Sequence, residues 1–172
     1  MSKLKNTKIL AITAMLAAVS IILSYFKIPL SPLIEIRFTT LPLAIAGFLF
    51  GPAIGGIVGL LADVGGYIVS PTGPFFPGFT ISAILSGAIY GFILHHHEFS
   101  IKRIFIAQVI IVLVVNLLLN SLWLSMLYGK AFMVAISARL FKEIIMIPIN
   151  TALVSLVLKA IGERSVIKKV RA

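Results

Sequence analysis

The sequence predicts an all-α integral membrane protein, a single domain (residues 1–172) of six transmembrane helices with both termini in the cytoplasm. Three observations predict it. Hydrophobic residues make up 60% of the chain's 172 residues, and only five residues are acidic. The apolar residues fall into six runs separated by short connections rich in proline, glycine or charge. Lys and Arg, 15 in all, gather at the ends of those runs and mostly on one side of the resulting topology. The net charge of +10 therefore reflects membrane topology and not a nucleic-acid partner. With no cysteine in the chain, neither a disulfide framework nor a thiolate metal site is available.

The runs follow one another closely. Lys3, Lys5 and Lys8 precede the first, residues 9–26, in loose likeness to a signal peptide. That run is long for a signal core and shows no convincing cleavage site before Pro29, so it is read as a retained span. The second, 38–50, is too short to cross a ~30 Å core, which takes about 20 helical residues. It must tilt within a bundle or be partly irregular and covered by protein. Pro52 separates it from the third run, 53–69. The fourth covers 77–94, the fifth 104–127 and the sixth 131–161. The sixth exceeds a bilayer's need, so its end projects into the cytoplasm.

Lys3, Lys5, Lys8, Lys102, Arg103, Arg164, Lys168, Lys169 and Arg171 then lie inside, against Lys27, Arg37 and Lys130 outside. The connections 27–37, 70–76 and 128–130 face out. On this topology Asp63, Asn120 and Arg139 each fall about two turns below the outer end of their own span. Asn116 and Glu143 lie about one turn deeper, and Lys142 beside them. Polar groups in hydrocarbon cost a few kcal/mol or more, so each marks a candidate site. Their common depth describes a polar pocket open to the outside.

Each has two readings. Asp63 can accept two hydrogen bonds from an aminopyrimidine-like edge, or pair with Arg139 or Lys142. Arg139 offers a planar fork for a carboxylate, or an ion pair with Glu143 one turn away. Arg37 at the outer mouth attracts an anion or snorkels to head groups. Trp123, one turn above Asn120, stacks on a ligand or anchors at the interface. Between the third and fourth spans, Ser70-Pro-Thr-Gly-Pro-Phe-Phe-Pro-Gly-Phe-Thr80 is restricted by three prolines and two glycines. It forms a stiff lid in which Phe75, Phe76 and Pro77 can cover a flat ring, or an aromatic anchor at the interface.

Gly47, Gly51, Gly55 and Gly59, and Ala83, Gly87 and Gly91, recur every fourth position and predict close helix packing. Ala11, Ala14, Ala17 and Ala18 form a small-residue face beside the basic N-terminus, for internal packing or for another protein's helix. His95-His96-His97-Glu98 has metal-ligand composition, but adjacent histidines on a helix do not share a face, and a solvated loop is expected. There is no phosphate-binding GxxxxGK[ST] loop, no HExxH and no GxSxG, so no catalytic residue, cofactor or metal site is assigned. A chain this small without a detectable inverted repeat is not a complete transporter, and its energy source lies elsewhere.

Nearly the whole chain resembles the substrate-binding S components of energy-coupling factor (ECF) vitamin transporters, most closely the folate-specific type. The resemblance is carried by Leu41-Pro-Leu-Ala-Ile-Ala-Gly-Phe-Leu-Phe-Gly-Pro52, Gly59-Leu-Leu-Ala-Asp63, Pro71-Thr-Gly-Pro-Phe-Phe-Pro-Gly-Phe-Thr80, Asn120-Ser-Leu-Trp-Leu-Ser125 with Tyr128-Gly-Lys130, and Ala138-Arg-Leu-Phe-Lys142. It implies the six-helix S-component fold in a bacterial cell membrane and an outward site that captures folate without chemistry. It also implies a membrane coupling subunit docked on Ala14 and Ala18, two cytoplasmic ATPases, and ligand release by toppling. Folate's parts would be met by stacking from Tyr67, Phe75, Phe76 or Trp123, by hydrogen bonds from Asp63, Thr80 or Asn120, and by charge from Arg37 or Arg139. Pantothenate, biotin or riboflavin stays open as the vitamin; a single tryptophan argues against thiamine. A membrane enzyme would need a reactive constellation that the sequence lacks. A purely structural subunit would not need polar groups at one depth.

Overall fold

The structure, a computed structural model, describes residues 6–26, 28–31, 34–36, 38–71, 73–129 and 132–162. Helix α1 (Thr7–Tyr25) starts where the Asn6 side chain accepts a 3.1 Å hydrogen bond from the Lys8 amide. The connection that follows carries a two-stranded antiparallel ribbon, β1 (Ile28–Ser31) and β2 (Ile34–Ile36), with Ile28 opposite Ile36. Arg37, expected at the outer mouth, lies outside the described residues.

Helix α2 (Thr40–Phe50) has 11 residues, or about 16 Å of rise, and cannot cross the bilayer alone. Most of its residues are buried, which resolves the short second run in favour of a half-span covered by protein. It ends at Gly51, whose φ of 97° lies in the region that favours glycine, and Pro52 opens α3 (Pro52–Val69) at its first turn. This corner folds α2 and α3 against each other.

The fourth-residue glycines do what their spacing predicts. α3 crosses α4 (Pro77–Leu94) so closely that a Cβ on Gly87 would stand 2.0 Å from the Gly55 carbonyl oxygen. A Cβ on Gly59 would stand 2.3 Å from that of Ala83. The next rod reaches back to Ile101: α5 (Ile101–Ile110), a π-helical segment (Ile111–Leu119) and α6 (Asn120–Tyr128) run on without a break. It ends at Gly129, with φ 62°. Helix α7 (Phe132–Gly162) is 31 residues long, about 46 Å, longer than a ~30 Å core requires.

Five of these helical stretches are long and apolar enough to cross a membrane, and α2 adds the shorter sixth. The core where α2, α4, α5, the π segment and α7 meet is built of Phe48, Tyr90, Leu94, Ile104, Ile111, Val115, Val154 and Leu158. Outward faces carry Leu10, Met15, Phe92, Phe141 and Leu156, the surface that lipid covers. The helical spans are those expected, with ends shifted by a residue or a turn.

Candidate ligand-binding cavity

A cavity of about 280 Å³ opens among the helices. Its wall draws on α1 at Ser24, α3 at Asp63 and Tyr67, the 70–76 loop at Phe75 and Phe76, α6 at Asn120, and α7 at Arg139 and Glu143. The polar groups scattered along the sequence thus converge on one space. Pockets of this kind combine apolar walls with a few placed polar groups.

At the loop, Tyr67 holds the backbone: its hydroxyl donates to the Gly73 carbonyl at 3.1 Å. Its ring meets Phe75 edge-on, with centroids 5.2 Å apart. Phe75 is exposed, whereas Phe76 turns inward and rests 5.7 Å from the Trp123 ring. Trp123 donates its Nε1 hydrogen to Ser82 Oγ at 3.1 Å. Its indole also occupies the space where Gly78 lacks a side chain, since a Cβ there would stand 2.5 Å from it. The tryptophan therefore couples α6 to the start of α4.

Asp63 accepts a 2.7 Å hydrogen bond from Thr80 Oγ1, a contact that neither of its two expected readings included. Lys142 pairs with Glu143, its Nζ 3.2 Å from Oε1. Glu143 is 3% exposed, and its other oxygen accepts from Asn116 Nδ2 at 2.9 Å. Arg139 Nη1 donates to the Asn116 main-chain carbonyl at 3.2 Å. The Lys142 stem reaches the adjacent carboxylate while Arg139, one turn higher, spans to the neighbouring rod.

Of the residues predicted for the site, Asp63, Tyr67, Phe75, Phe76, Asn120 and Arg139 line the cavity. Thr80, Trp123 and Pro77 do not line it; the first two support residues that do, and Pro77 opens α4. Arg37 cannot be placed. Lys142, singled out in the sequence for its depth, also lines the cavity, as do Ser82, Ser86, Gln108 and Asn150, which were absent from the expected set. Gln108 (1% exposed) and Asn150 (8%) break apolar runs just as Asn116 does, so the same criterion finds them. Serine gives no such signal, because it hides among apolar helix residues without cost.

The small-residue face of α1 divides. Ala17 is buried, while Ala11, Ala14 and Ala18 are exposed. The histidine tract divides as well: His95 Nδ1 lies 3.2 Å from the Phe48 carbonyl, and its ring packs under Gly51, whereas His96, His97 and Glu98 are exposed.

Comparison with known proteins adds the family. The pattern of the ECF transporter substrate-specific component matches residues 8–158. The chain is 36% identical over 167 residues to the folate transporter FolT of Clostridium novyi (strain NT), covering 97% of each. It is 31% identical over 162 residues to the riboflavin transporter RibU of Staphylococcus aureus (strain TCH60), covering 86% of this chain and 82% of that one. Its fold is similar to the crystal structure of FolT bound with folic acid, with a TM-score of 0.80 and 34% identity over 87% of this chain and 91% of that one. These relatives are transport proteins and not enzymes. A family pattern matched over most of the length, on a bundle of apolar helices, means that the chain belongs to the substrate-specific components of ECF transporters.

Proposed function

We propose that the chain is a one-domain, multi-pass subunit that captures folate from outside the cell and hands it to an ATP-driven transporter. The observation that carries this reading is the likeness, at TM-score 0.80 and 34% identity, to FolT bound with folic acid. The cavity supports it chemically. Folate joins a flat pterin, a benzoyl ring and an anionic glutamate. Tyr67, Phe75 and Phe76 offer aromatic faces at one end, Asp63 and Asn120 offer acceptors, and Arg139 and Lys142 bring positive charge. Both termini face the cytoplasm on the Lys and Arg distribution.

The chain has no nucleotide-binding loop, so the free energy comes from partners: a membrane coupling subunit and two cytoplasmic ATPases. Exposed Ala14 and Ala18 on α1 give the coupling subunit a surface that another helix can approach closely. The loaded subunit topples against it and releases ligand inside. A second reading, riboflavin, is favoured by the 31% identity to RibU.

Titration of the purified chain with folate and with riboflavin, followed by the fluorescence of its single tryptophan, decides between them. Saturable one-to-one folate binding that excess riboflavin does not displace supports the first reading. Riboflavin binding without folate binding replaces it with the second.

A further inference from the structure

The cavity has a second polar zone beneath the first. Gln108 on α5 lies about three helical turns inward of Asn120, and Asn150 on α7 about three turns inward of Arg139. Both line the cavity and both are buried, Gln108 at 1% exposure and Asn150 at 8%. A regular α-helix turns about 100° per residue and would set Asn120 about 120° round from Gln108. The wider π-helical turns between them bring both to one wall. Tyr90 decides which way Gln108 points. Its hydroxyl is fully buried and donates to Gln108 Oε1, its one partner among the described residues. A buried hydroxyl hydrogen needs an acceptor, and an amide offers only its oxygen. Gln108 Nε2 is thereby turned away from Tyr90 and has no partner among the described residues, and neither end of the Asn150 amide has one. Asn120 Oδ1, Ser121 Oγ and Thr151 Oγ1 also lack partners, but they are sealed in the packing. The Gln108 and Asn150 groups are not sealed, and at this depth their opening is the cavity. Beneath them Tyr90, Leu94, Ile104, Val154 and Leu158 close the floor with apolar packing. The cations Arg139 and Lys142 sit two to three turns higher, so a carboxylate carried to the floor would lose its water with no charge to replace it. The floor suits a neutral ring edge that carries a hydrogen-bond acceptor.

We propose that Gln108 is a specificity-determining donor of the site: held by Tyr90, it presents Nε2 to a hydrogen-bond acceptor on a neutral heteroaromatic ring, with the Asn150 amide on the helix packed against α5 as a second polar group. This rests on the folate reading, in which the acceptor is the 4-keto oxygen of the pterin, the ring's one carbonyl. Tyr90 does not line the cavity and is a positioning residue. Without its hydroxyl nothing ties the amide, and Gln108 can offer Oε1 to a donor instead.

The test compares folate with aminopterin, in which an amine replaces the 4-keto oxygen and so puts a donor where folate has an acceptor. Dissociation constants are measured on the purified full chain in nanodiscs for the native sequence, Y90F and Y90F/Q108M. The native chain is expected to prefer folate roughly 10–100-fold, the usual consequence of a buried donor left unmet. In Y90F that ratio falls to within about threefold, because Gln108 can turn its oxygen to the amine. In Y90F/Q108M it also falls to within about threefold, because no amide is left to discriminate. Replacing both partners of a buried hydrogen bond by apolar groups of similar shape is close to neutral for folding, so the double variant decides if Y90F does not fold. A Tyr90–Gln108 pair that only holds the core would weaken both ligands alike. A ratio unchanged in the variants, or near one in the native chain, therefore overturns the assignment while leaving the folate reading intact. A native chain that binds no folate overturns both.

Discussion

Thr80 Oγ1 donates a 2.7 Å hydrogen bond to Asp63 Oδ2, so the carboxylate of α3 is aimed by a hydroxyl one helix away. Asp63 lines the cavity and Thr80 does not. The hydroxyl fixes one carboxylate oxygen and leaves the other for a ligand. T80V keeps the shape and removes the donor. It should weaken folate about fivefold, near the ~1 kcal/mol of one partly exposed hydrogen bond, whereas T80S stays within about twofold. Tryptophan fluorescence titration measures both.

The 70–80 loop is tied down by the Tyr67 hydroxyl on the Gly73 carbonyl and by the Tyr67–Phe75 ring contact. Y67F keeps the ring contact and loses the tether. Ligand dissociation should accelerate by about 2–10-fold, the range of one hydrogen bond, with association changed less. Stopped-flow chase with unlabelled folate reads the two rates separately.

The α3–α4 crossing should tell Gly87 from Gly56. A methyl on Gly87 meets the Gly55 carbonyl at 2.0 Å, and neither backbone can move without opening the crossing. One on Gly56 meets the Ile84 Cγ2 at 3.3 Å, a side chain that can give. G87A should cost about 1–3 kcal/mol or more and G56A under about 1 kcal/mol, read as midpoints of thermal unfolding in detergent.

On α1, Ala14 and Ala18 are exposed. A14L/A18L should therefore leave folate affinity of the isolated chain within about twofold, since surface changes are usually near neutral. Uptake in cells with the coupling subunit and ATPases should be abolished. Equal loss of binding and uptake would place the defect in folding instead of docking.

The spans and the convergence of Asp63, Asn120 and Arg139 were legible because hydrocarbon makes polarity expensive, so each buried polar residue stands out against its run. The regular glycines were legible for a related reason: only missing side chains allow the crossing of Gly87 and Gly55, where an added Cβ would stand 2.0 Å from a carbonyl oxygen. Pairing was not legible. Spacing placed Arg139 and Glu143 one turn apart, but it gave neither the contact of Lys142 with Glu143 nor that of Arg139 with the Asn116 carbonyl across the helices. Side-chain reach between helices depends on their rotation, which periodicity does not fix. Trp123 was hidden likewise, since its Ser82 partner lies 41 residues away in sequence.

The central claim, an outward-facing cavity that folate fills, is tested most directly by protection of a single cysteine. The chain contains none, so P74C places one thiol at an exposed, cavity-lining position of the loop. In intact cells a membrane-impermeant maleimide should label it, and folate should block that labelling while riboflavin does not. Labelling that requires permeabilised cells, or that folate leaves unchanged, would contradict the account.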